Sequence, residues 1–130
     1  MGRLPAGWAW AIGGGACKEP AKGGKRRCRP LWLRCRVLSG FWARLRGLLG
    51  TDPDADPVII ERCRSVHTWG MRYAIDVALV APSGRVVATA RSMAPCRVLG
   101  AREASLAIER PSRPGRWFER GDEVRVERIQ

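Results

Sequence analysis

No run of about 18 consecutive apolar residues occurs in the 130-residue chain, which excludes a membrane-spanning helix on length alone. Histidine and tyrosine occur once each, at His67 and Tyr73, so few side chains can exchange protons near neutral pH. The five cysteines, at positions 17, 28, 35, 63 and 96, are odd in number and contain no C-x-x-C pair. Neither a disulfide framework nor a four-cysteine zinc site is announced. A G-x-S-x-G nucleophile elbow is missing. Gly24-Lys25 does not complete a phosphate loop, because Glu19 stands where the first glycine belongs and Arg26 where a Ser or Thr must follow the lysine. Long amphipathic helices between the apolar segments are also lacking, which argues against parallel βαβ winding.

What is present is basic. Lys and Arg number 24 against 12 Asp and Glu, and eight of the twelve excess positive charges fall in residues 1–38. That segment is rich in Gly, Ala, Pro, Arg and Trp, and the expectation is a basic, unstructured tail over 1–38 followed by a single small domain over 39–130. Its composition is also what GC-rich upstream DNA encodes. Nucleic acid is expected as a partner only through this tail, where Lys25-Arg26-Arg27-Cys28-Arg29 lies near Trp32. A soluble, cytoplasmic protein with reduced cysteines is the expectation. Export behind the weakly apolar run Trp8–Ala16, or lipid attachment at Cys17, is the alternative, opposed by the glycines that interrupt that run.

Beyond residue 38, Ser39 can cap a short helix starting near Gly40, with Phe41, Leu45, Leu48 and Leu49 on one stripe. Gly50 suits its end, and Pro53 and Pro57 forbid continuation. Asp52, Asp54 and Asp56 alternate like the opening of a calcium loop. Pro57 and Cys63 then occupy the positions that need glycine and a bidentate glutamate, so a polar turn is the better reading. From residue 58 the period is two. Val58 to Arg62, Ile75 to Val80, Arg85 to Arg91, Leu106 with Ile108, and Val124 with Val126 read as strands, with turns at Pro82-Ser83-Gly84 and Gly121-Asp122. One helical turn is expected near Pro114 to Glu119. The predicted class is mainly β: a compact antiparallel sandwich or barrel-like domain with one short N-terminal helix.

Two functional readings follow. In the first, a small non-catalytic β domain binds a partner protein or a small ligand through residues 63–76, where His67, Thr68, Met71, Arg72 and Asp76 cluster around a bend at Gly70. In the second, Cys63, His67 and Cys96 form a metal- or thiol-dependent site. Residues four apart on one extended strand lie about 13 Å from each other, so such a site requires the chain to bend. No cofactor is specified by either reading.

Arg44-Leu45-Arg46-Gly47-Leu48-Leu49-Gly50, the stretch from Cys63 to Val77 containing His67-Thr68-Trp69-Gly70-Met71-Arg72 and Ile75-Asp76-Val77, then Pro95 and the strand Ala104 to Glu109 occur in that order. Over about residues 40–128 the chain thereby resembles the bacterial and archaeal family called domain of unknown function 192. The resemblance implies a compact β-sandwich-like domain with a short N-terminal helix, and it implies no activity. The family's signature falls on Gly47, Met71, Ile75 and Asp76, with Cys63, His67, Thr68 and Arg72 belonging to a subgroup pattern. Glu109 resembles the acidic residue that closes a family strand, but the following Arg110-Pro111-Ser112-Arg113-Pro114-Gly115 is longer or more basic than the turn the resemblance implies.

Overall fold

The computed structural model describes residues 7–14, 30–38 and 47–129. Among these, nine strands carry the fold: β1 (Gly7–Gly14), β2 (Leu31–Leu38), β3 (Val58–Glu61), β4 (Ser65–His67), β5 (Ile75–Val80), β6 (Val86–Met93), β7 (Val98–Gly100), β8 (Leu106–Pro111) and β9 (Glu123–Arg128). Seven of them form one sheet in the order β6-β5-β8-β3-β2-β1-β9, and β4 pairs with β7 in a second, two-stranded sheet. All pairings are antiparallel except β2 with β3, which is parallel. The chain length between β2 and β3, residues 39–57, is of the order a parallel crossover needs.

The large sheet curls into a half-barrel. Its two outermost strands approach at one end, where Arg85 bridges Glu123 and the Val124 N–H donates to the Gly84 carbonyl at 2.7 Å. Inside the curl, Ala9, Ala11, Leu33, Cys35, Ile59, Val80, Val86, Ile108, Phe118 and Val124 form one core cluster, drawn from both ends of the sheet. The opposite face of the central strands carries a second cluster that includes Val58, Ile60, Ile75, Val77, Leu79 and Ala107. Val66 and Leu99 of the small sheet, with Leu48, cover it. Among the described residues no helix is long and apolar enough to cross a membrane.

Mainly β architecture and all five strands expected from the period of two are present. Three expectations need correction or placing. The segment 1–38 was expected to be unstructured, but Gly7–Gly14 and Leu31–Leu38 are adjacent strands inside the large sheet, with Ala9, Ala11 and Cys35 fully buried. Small residues suffice there because a large one fills the space: a Cβ added at Gly13 would stand 2.6 Å from the Phe118 ring. A boundary at residue 38 therefore does not separate a tail from a domain. The expected N-terminal helix falls on 39–46, outside the described residues; its last positions, Gly47 to Gly50, form a turn closed by the Thr51 N–H to Leu48 carbonyl bond. The helical turn expected at Pro114 to Glu119 is irregular backbone. Side chains claim its carbonyls instead, Arg91 donating to Arg113 and Gly115, Arg110 to Arg116, and Thr89 to Phe118.

Candidate functional site

A cleft of about 350 Å³ opens between the 47–50 turn, the end of β3, the strand β4 and the bend that follows it. Its apolar wall is Leu48, Leu49, Ile60, Val66, Met71 and Ile75, and its polar groups are Glu61, Arg62, Cys63, Arg64, Ser65, His67 and Glu109. Each is placed by register. Val58 lies opposite Glu109 and Ile60 opposite Ala107, so Glu109 projects from β8 on the face of the second core cluster, at the base of the cleft. Arg62 takes a left-handed φ of 52° immediately after β3, which turns the chain out of the large sheet toward β4.

Glu109 is only 4% exposed. Burial pushes its carboxyl up to about 7, against the opposing effect of the Leu48 N–H that donates to it. The turn supplying that donor is held by Thr51 and Tyr73, whose hydroxyls hydrogen-bond to each other, and by the Thr51 hydroxyl donating to the Leu48 carbonyl at 2.5 Å. Gly47 has φ +51°, and a Cβ there would stand 3.1 Å from a Glu109 carboxyl oxygen. Glycine thus lets the turn close over the carboxyl. Glu61 ends β3 on the same cleft, and its Oε1 is buried with no hydrogen-bond partner among the described residues. Native proteins seldom leave such an acceptor unpaired.

The residues singled out from sequence do not converge as one set. Cys63, His67 and Met71 line the cleft. The Cys63 thiol donates to the Ser65 carbonyl at 3.1 Å, and the exposed His67 ring lies 5.0 Å from that of Trp69, itself 59% exposed. Thr68 is fully buried and binds backbone. Its hydroxyl donates to the Ala94 carbonyl at 2.7 Å and accepts the Arg97 N–H at 2.8 Å, fastening the bend after β4 to the chain entering β7. Arg72 is exposed beyond the cleft. Cys96 is exposed on the turn beside Thr68, with φ 64°, and lies outside the cleft lining. Among the described residues no three of His, Cys, Asp and Glu gather as a metal-binding group.

Asp76 faces the other way. Ile75 and Val77 contribute to the second cluster, so Asp76 between them projects into the curl with Ala78 and Val80. There its carboxylate accepts the Arg110 Nε–H at 2.8 Å and the Ser92 N–H at 2.9 Å, with Arg91 at 3.6 Å. Burial would raise its pKa, but these partners outweigh burial and hold it below the ordinary value. Arg110 also stacks on Trp117, 4.6 Å from the ring centroid, and Trp117 donates its indole N–H to the Val77 carbonyl. Asp76 is thus a structural anchor, remote in orientation from His67. Cys35, in the same interior, has its thiol pushed up to about 12 by burial.

Sequence reading missed Glu61 and Glu109. Both sit at the ends of apolar runs where an acidic residue ordinarily marks the strand's exit to solvent. The one available signal was the family resemblance, which implies an acidic residue closing the strand at Glu109.

No family model and no curated protein matches the chain. Two solved structures are similar over most of their length. One is a protein of unknown function from Novosphingobium aromaticivorans, with a TM-score of 0.65 and 14% identity, covering 89% of this chain and 83% of that one. The other is described as a "putative transcription regulator" from Sinorhizobium meliloti, with a TM-score of 0.68 and 14% identity, covering 96% of this chain and 98% of that one. At this identity the likeness shows the fold.

Proposed function

We propose that this chain, which resembles the domain of unknown function 192 family over residues 40–128, is a non-catalytic β domain that binds a small ligand in the cleft formed by residues 47–50, 60–71 and Glu109. One observation carries the reading: Glu109 is buried at the base of the cleft, and the half-buried Glu61 that also lines it has a buried carboxyl oxygen, Oε1, with no partner among the described residues. Buried acceptors of this kind are satisfied by a donor, and here the cleft leaves room for one to enter. The ligand class that fits has an amine or other hydrogen-bond-donating head against Glu61 and Glu109 and an apolar body against Leu48, Ile60 and Met71.

Two-dimensional amide NMR with matched alkylamines and alkylcarboxylates tests this. Amines should shift Gly47 to Gly50 and Glu61 to His67, and carboxylates should not. An amine pairs with the ionised form of Glu109, so its affinity should rise as pH increases through about 7. Glu109→Gln should abolish that dependence and weaken amine binding about tenfold or more. Because Glu109 ionises less readily folded than unfolded, the wild-type carboxyl costs stability above pH 7; the glutamine variant should be at least as stable there, which separates lost binding from misfolding. Amines that shift no cleft residue, or that bind Glu109→Gln equally well, would refute the proposal.

A further inference from the structure

The outward face of β1, β2 and β9 takes no part in the cleft. Trp8 lies opposite Arg36, Trp10 opposite Arg34 and Ile12 opposite Trp32, which places these side chains on one side of the sheet. The alternate residues Ala9, Ala11, Leu33, Cys35 and Val37 go to the core. Trp10 also faces Glu127 and Ile12 faces Arg125, extending the surface onto β9. On this face Trp10 and Trp32 meet edge to face at 5.8 Å, and the Arg34 guanidinium sits 4.4 Å over the Trp8 ring. Trp32 remains 52% exposed. Arg34, Arg36 and Arg125 are exposed, against two carboxylates on the same side of β9: Glu123, opposite Gly14, and Glu127, which Arg125 holds at 3.0 Å.

We propose that this face binds a single strand of nucleic acid, with bases stacking on Trp32 and Trp10 and phosphates held by Arg34, Arg36 and Arg125. Indole rings interleaved with guanidinium groups match a polymer that alternates π-faces with anions. A broad three-stranded face does not enter the major groove of a duplex, which admits a helix or a two-stranded ribbon. Charge complementarity extends along the sequence: the connection between β1 and β2 carries Lys18, Lys22, Lys25, Arg26, Arg27 and Arg29 against Glu19. The basic residues and tryptophans that the sequence assigned to a loose tail are, for β1 and β2, ordered on one surface. This proposal does not depend on the cleft reading.

Fluorescence anisotropy of the full chain with labelled oligothymidylate and oligouridylate of about 12 nucleotides tests it. Both should bind, because base faces and phosphates are common to them, and a duplex of equal length should bind more weakly. Affinity should fall linearly with salt on logarithmic axes between about 50 and 200 mM, and tryptophan emission should be quenched. Trp32→Ala should weaken binding about tenfold while Trp32→Phe retains it. Arg34→Ala should lower the salt slope by about 0.7. Both side chains are exposed, so the variants should melt like the wild type. Failure to bind either oligonucleotide, or equal binding by wild type, Trp32→Ala and Arg34→Ala, would overturn the proposal. So would phosphatidylserine vesicles binding in a Trp32-dependent manner where oligonucleotides do not, since that assigns the face to a membrane.

Discussion

Asp76 is fully buried and charged, and its surroundings explain how both can hold. Two hydrogen bonds and two guanidinium groups replace the water it loses, and Arg110 in turn is braced by the Trp117 ring and the Arg116 carbonyl. Removing one member of such a set leaves the other charge buried without compensation, which costs about 3–5 kcal/mol. Asp76→Asn should therefore lower the urea midpoint by an amount equivalent to about 3 kcal/mol. Because the folded pKa lies below the unfolded value, the contribution of Asp76 is present above pH ~4 and is lost as pH falls through the folded pKa. The variant should lack that part of the acid limb in a pH series of melts. Alternation in Ile75-Asp76-Val77 correctly put Asp76 on the face opposite its apolar neighbours. It did not show that both faces of β5 are covered, which turns an expected surface residue into an interior one.

The closure of the large sheet depends on how closely β6 and β9 approach. Gly84 has φ +92°, and a Cβ there would stand 2.7 Å from the Val124 carbonyl oxygen, backbone that cannot yield without moving β9. Gly84→Ala should cost about 2 kcal/mol and accelerate amide exchange at Val86 and Val124, whose N–H groups bond across this seam. An unchanged exchange rate at those amides would show that the seam does not hold the sheet closed. Five strands could be read from local signals: alternation in Ile75–Val80, Leu106 with Ile108 and Val124 with Val126, a short apolar run at Val58, and the Pro82-Ser83-Gly84 turn that leads into Arg85 to Arg91. The three-residue β4 and β7 could not, because a single buried or half-buried residue between two exposed ones shows no period. In β2 the alternation Trp32, Arg34, Arg36 against Leu33, Cys35, Val37 was present, but its charge read as a property of the segment rather than of one face.

At the scale of the whole molecule, β1 and β2 supply five side chains to the cluster inside the curl, and β1 carries β9 as its neighbour. A chain beginning at residue 39 loses both strands and exposes the edge of β3. It should show no cooperative thermal transition, measured by circular dichroism beside the full chain. A stable, cooperative 39–130 fragment would show that the first two strands are accessory.

Local pattern by itself determined that the protein is mainly β, where five of its strands run, and that the chain bends between His67 and Met71, because strand periodicity and turn chemistry are encoded within a few neighbouring residues. Only the tertiary structure decided that Glu61 and Glu109 share a cleft, that Asp76 and Cys96 stand apart from it, and that Trp8, Trp10, Trp32 and Arg34 form one surface. Those outcomes depend on register between strands distant in sequence and on which faces other elements cover, neither of which is written in any single segment.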